Sequence, residues 1–159
     1  MNRSIVVLLI VFTFLSLTWE NNYSTIEIFR EEDNGRMNMI PCIIDLSKVD
    51  TTKGKETGVL SYFVSGADGK KKNRMNKEGR LFLVGGDHAA LKVEEGKYKI
   101  GVYTPTEYQG GYIPNNTETW RSNYLTIEFS GGKKFTLSVE PTAKDGEYDG
   151  GWKIHLVKK

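Results

Sequence analysis

From Ser24 to Phe29 the chain alternates, with Ile26 and Ile28 on one face and Thr25 and Glu27 on the other, a pattern that predicts a strand with one buried face. The cluster Glu31 to Gly35 ends in Asn-Gly, which favours a hairpin because both residues tolerate positive φ. A return strand is therefore expected, with Ile40, Cys42, Ile44 and Leu46 on one parity and Pro41 pushing it towards a sheet edge or a bulge. Val59 to Val64 is the next strand, followed by the turn Gly66 to Gly69. Arg80 to Val84 is apolar on both faces and reads as a central strand covered on two sides or as a strand at a crowded sheet position. Leu91 and Val93, then Tyr98, Ile100 and Val102 after a turn at Gly96, mark two strands with one buried face each. Leu125, Ile127 and Phe129, the turn Gly131-Gly132, and Phe135, Leu137 and Val139 together predict a hairpin. Trp152, Ile154 and Leu156 give the last strand its buried parity. With about nine short strands and no helical period after the first stretch, the pattern predicts an all-β fold, an antiparallel β-sandwich of about seven to nine strands. It occupies residues 23–159 as a single domain.

The N-terminal stretch is of a different kind. Arg3 supplies a basic start, and Ile5 to Leu17 carries no charge. That run has the length of a signal-peptide core and falls short of the roughly twenty residues that a membrane span needs. Residues 1–18 are read as an apolar leader helix, either a signal peptide or an uncleaved anchor, since Ser16-Leu17-Thr18 only approximates a small-x-small cleavage site. The expected location is secreted or in the cell envelope, with membrane contact only through residues 5–17 and only if the leader is kept.

Composition narrows the function classes. Seventeen glycines against four prolines suit a turn-rich β chain. A net charge of +2 offers no long-range field, so nucleic acid is not an expected partner. Cys42 is the single cysteine, which excludes an internal disulfide, and its apolar surroundings from Met39 to Ile44 predict a buried, inert thiol.

Two pieces resemble the transthyretin-like (prealbumin-like) sandwiches, specifically the carboxypeptidase regulatory-like domains. The first is Gly58-Val59-Leu60-Ser61-Tyr62-Phe63-Val64, ending in Asp68-Gly69. The second is Asn76 to Leu83, leading through Leu91-Lys92-Val93 to Glu95-Gly96-Lys97-Tyr98-Lys99-Ile100-Gly101-Val102. The resemblance covers roughly residues 56–105, with Glu78-Gly79 standing where Asp-Gly is commoner. It implies a fold and an extracellular accessory role, and it carries no catalytic residue across.

Candidate chemistry is thin. A transthyretin-like hydrolase acting on a purine-derived ring needs several histidines, an arginine and a Tyr-Arg-Gly-Ser end; this chain has only His88 and His155 and ends Leu156-Val157-Lys158-Lys159. Neither histidine has ligands at zinc spacing, and Asp87 and His88, adjacent in a strand, should face opposite ways. Asp145, Glu147 and Asp149 supply carboxylates for a weak calcium site but lack the spacing of an EF-hand, so turn chemistry is the preferred reading. Lys70 to Arg74 is a basic loop without interleaved aromatics, read as solvated. No enzyme activity, cofactor or metal is expected. The remaining signal is aromatic: Tyr103, Tyr108, Tyr112, Trp120 and Tyr124 lie in or beside the irregular segment 104–122. Two functions follow. One is a non-enzymatic exported domain making protein or cell-surface contacts; the other is a carbohydrate-binding module using Tyr108, Tyr112 and Trp120, unless these rings fold inward to close the sandwich.

Overall fold

The computed structural model describes residues 23–33, 36–49, 58–106, 119–142 and 151–157. The leader, Asn34-Gly35, Tyr108, Tyr112 and the carboxylates Asp145, Glu147 and Asp149 lie outside the described residues. The strands are β1 (Tyr23–Arg30), β2 (Cys42–Lys48), β3 (Val59–Ser65), β4 (Phe82–Leu83), β5 (His88–Glu94), β6 (Gly96–Thr104), β7 (Trp120–Arg121), β8 (Leu125–Phe129), β9 (Lys134–Pro141) and β10 (Trp152–Leu156). The helical element among the described residues is a 3-10 turn, Arg36–Met39.

Two sheets form a β-sandwich. The first runs β10-β9-β1-β5-β3; the second runs β4-β2-β6, with β7 and β8 sharing the far side of β6. The predicted parities meet between them. Ile26, Ile28, Leu91, Val93, Leu137, Val139 and Ile154 from the first sheet join Cys42, Leu46, Tyr98, Ile100, Val102 and Phe129 from the second in one buried cluster. Burying each such side chain contributes about 1.5 to 3 kcal/mol. Leu156, on the predicted inward parity, is instead exposed because it lies at the end of β10.

Apart from Leu156 the predicted parities hold, but the predicted pairings do not. Tyr124–Phe129 and Phe135–Val139 do not form a hairpin: β8 pairs with β6, whereas β9 lies in the other sheet beside β1 and β10. The chain between β1 and β2 likewise crosses from one sheet to the other. A glycine turn reverses direction, yet a reversal that also changes sheet leaves each strand free to find a distant partner. The β1–β9 pair is parallel, so the first sheet is mixed rather than purely antiparallel.

Two strand positions also differ from expectation. Phe82–Leu83 is a two-residue edge strand, not a central one: it pairs with Cys42 and Ile43 of β2 and ends the second sheet on that side. β2 lies between β4 and β6; Pro41 precedes its first ladder residue and so removes no donor from it.

The polar residues that hold the frame are local consequences of these placements. Arg30 continues the inward parity of Ser24, Ile26 and Ile28 and is therefore buried, 1% exposed. Its guanidinium donates to the carbonyls of Glu31 (2.6 Å) and Met37 (3.0 Å) and lies 4.3 Å from the centre of the Trp152 ring. Arg74 makes a two-pronged pair with the buried Asp87, at 2.6 and 3.2 Å, and pins the segment after β3 to the turn before β5.

Candidate functional site

Trp120 lies at the start of β7 with its ring in the core, 5% exposed, and so is placed with the residues that close the sandwich rather than with those that meet solvent. The two histidines face outward on the first sheet. His88 stacks on Phe29 at 4.1 Å and lies 3.9 Å from Glu27; His155 lies 3.9 Å from Glu140. Asp87 is buried and His88 faces outward, although Asp87 lies in the turn before β5 and not in the strand itself. Among the described residues no three His, Cys, Asp or Glu side chains converge as a metal site.

Cys42 acquires a basic neighbour that its sequence context does not show. Arg30 packs against it, yet burial outweighs the guanidinium and pushes the thiol up to about 11. The same burial lowers the Arg30 pKa. At neutral pH the pair is a neutral thiol beside a cation held by carbonyls, with no thiolate for chemistry.

The site that the sheet order creates is the free edge of β3. Each sheet has two edges, and most are closed in recognisable ways. On β10 the Asn123 amide donates to the Ile154 carbonyl (2.9 Å) and accepts from the Ile154 N–H (3.0 Å), so a side chain occupies the place of a further strand. β4 is two residues long, and β8 exposes Thr126 and Glu128. Short or charged edges resist pairing with other chains.

β3 has neither protection. Its sequence, Val-Leu-Ser-Tyr-Phe-Val-Ser, has no charge and no proline. Leu60, Tyr62 and Phe63 are 46%, 45% and 46% exposed, high values for large apolar side chains sharing one strand. The register explains why. Tyr62 lies opposite Leu91 on the inward side and Phe63 opposite Ala90 on the outward side, and β3, as the end strand, has a neighbour on one side only among the described strands. A bulge between Val59 and Ser61 turns Leu60 out as well.

Half of this edge is covered by the chain itself. Gly66 N–H donates to the Lys70 carbonyl and Lys72 N–H to the Val64 carbonyl, so the return segment runs antiparallel to the end of β3 and then leaves it. Because backbone groups alternate sides along a strand, Tyr62 directs its N–H and C=O to the same side as Val64. Among the described residues no strand pairs there. The result is a groove of about 720 Å³ lined by Leu60 to Val64 and by Lys71, Lys72 and Asn73. Lys72 is paired with Asp68 at 3.1 Å, which lowers the Asp68 pKa.

A second constellation gathers on the outer face of the second sheet. Gly101 leaves room for the Tyr124 ring, which a Cβ there would meet at 2.7 Å. Tyr124 donates to Asp45 (2.8 Å); Lys99 sits 4.3 Å over its ring. Arg121 lies 5.5 Å from the Tyr103 ring and 3.5 Å from the Tyr124 hydroxyl, and Arg80 donates to the Tyr103 hydroxyl. Tyr103 and Tyr124 were legible as aromatics beside a long segment; their convergence with Arg80, from a distant turn, was not.

No family model and no curated protein sequence matches the chain. A solved structure, that of a candidate cell adhesion protein from Bacteroides fragilis, is similar at 8% identity and a TM-score of 0.35, over 88% of this chain and 46% of that one. The chain thus spans about half the length of that structure, and so loose an overlap carries no argument about function.

Proposed function

We propose that the protein is an exported, non-enzymatic β-sandwich of the transthyretin-like kind, and that it makes protein contacts at the cell surface through the free edge of β3. The observation that carries this reading is the uncharged stretch Val59–Phe63, with three large apolar side chains exposed around a strand position that none of the described residues fills. A row of backbone N–H and C=O groups at strand spacing is matched by another extended polypeptide, with side-chain pockets adding specificity. The partner is therefore a protein segment that adds itself as a strand beside Leu60 to Phe63.

The test presents the full chain to a display library of short linear peptides. Selected peptides should protect the Tyr62 amide from hydrogen exchange. Tyr62→Pro, which removes an outward donor and leaves the bonds to β5 in place, should abolish their binding; Phe63→Lys should weaken it. Selected peptides that bind Tyr62→Pro as well as the parent, with no protection along Val59–Phe63, would overturn the reading. Turnover in a hydrolase screen would remove its non-enzymatic part, and retention of the full chain in the cytoplasm would remove export.

A further inference from the structure

The outer face of the second sheet carries a cluster of cations and tyrosines separate from the β3 edge. We infer that Arg80, Lys99 and Arg121, held by Tyr103 and Tyr124 around Asp45, bind an anionic polysaccharide bearing carboxylate or sulfate groups.

The cations come first. Arg80, Lys99 and Arg121 are exposed, and among the described residues none forms an ion pair with a carboxylate. Tyrosines hold them instead, through ring faces for Lys99 and Arg121 and through a hydroxyl for Arg80. A ring attracts a cation by its quadrupole and leaves the charge in place. An ion pair would neutralise it. Three cations are thus fixed in position with their charge available, at a small cost in side-chain ordering when an anion arrives.

Geometry makes this one surface. Lys99 and Gly101 lie on β6 opposite Ser47 and Asp45 of β2, and Tyr103 lies opposite both Ile43 and Arg121. From β4 to β7 the surface crosses three strand spacings, about 14 Å, an extended platform rather than a pocket for a single small ion. Elsewhere on this face Lys97 stands opposite Glu128, so the excess positive charge is local to the tyrosine pair.

Asp45 decides between kinds of anion. A surface built for nucleic acid or polyphosphate gains nothing from a carboxylate at its centre. A saccharide does, because its hydroxyls donate to a carboxylate while its acidic groups meet the cations. Tyr124 donates to one oxygen of Asp45, Oδ2, and leaves acceptor capacity on the carboxylate. Burial and this bond to Asp45 raise the Tyr124 pKa, against the opposing pull of Arg121, which keeps its hydroxyl a donor through neutral pH.

The test measures binding of the full chain to hyaluronan, heparin, neutral dextran, polyglutamate and a DNA duplex at low and physiological salt. Hyaluronan or heparin should bind and weaken with salt, and dextran should not bind. Arg121→Ala and Lys99→Ala should each reduce binding about tenfold or more, as loss of a hydrogen bond to a charged group does. Gly101→Ala, which removes no polar group but displaces the Tyr124 ring, should also reduce it. Asp45→Asn should weaken polysaccharide binding while strengthening any residual binding of DNA or polyglutamate. Thermal melting establishes that each variant folds. The inference is overturned if neither polysaccharide binds, if the cation variants bind as the parent does, if DNA binds more tightly than both polysaccharides, or if Asp45→Asn strengthens all anions alike.

Discussion

At the scale of single residues, burial decides what charged and titratable groups do. The Cys42 thiol titrates at about 11, against an ordinary value of 9.0, because its burial outweighs the nearby Arg30. The folded state therefore binds a proton more tightly than the unfolded chain. Its contribution to stability is complete below pH 9 and is lost as pH rises towards 11, a loss on the order of 3 kcal/mol. Denaturant titrations of the parent and of Cys42→Val across that window should show a steeper decline in the parent; identical slopes would contradict the assignment. Native protein at neutral pH should also resist alkylation until unfolded. Asp87 offers a second case. Arg74→Ala strands a carboxylate that is 2% exposed with one remaining contact from the Val84 N–H, and should destabilise by about 3 to 5 kcal/mol. In Arg74→Ala/Asp87→Asn the penalty should shrink, which a double-mutant cycle measures directly.

Among the elements, the outer strands of the first sheet are treated in opposite ways. Asn123 closes β10 by imitating a neighbouring strand at Ile154. Asn123→Ala should cost about 1 to 3 kcal/mol and speed amide exchange at Ile154, because two buried backbone groups lose partners. Among the described residues β3 carries no such cap over Leu60 to Phe63, which leaves an edge open to aggregation as well as to the proposed docking. Phe63→Lys should therefore suppress self-association during refolding, seen by light scattering, while changing stability by no more than about 0.5 kcal/mol. A large loss of stability would mean that Phe63 belongs to the core.

Considered whole, the molecule is built from distant partners. The first six strands alternate between sheets, and the central strand β1 is flanked by β5 and β9 rather than by β2, its neighbour in sequence. Loop closure must precede these pairings, so refolding should fall in the millisecond-to-second range of β-sandwiches, and a chain ending before β9 should not fold, since β1 would lose one complete ladder. Stopped-flow fluorescence and circular dichroism of the truncated chain check both. Sequence alone determined most of the strands and their inward faces, β7 excepted: Ile26 with Ile28, Leu91 with Val93, and Tyr98, Ile100 and Val102 are buried because a period of two allows one face to leave water. It also marked Tyr103 and Tyr124 as aromatics worth following. Tertiary structure alone decided which strands pair, that β3 is an edge, that Trp120 is core, and that Arg80 and Arg121 meet the tyrosines. Parity is written in neighbouring residues, whereas pairing is chosen by the fit between faces far apart in the chain, and a glycine turn permits a reversal without naming the sheet that receives it.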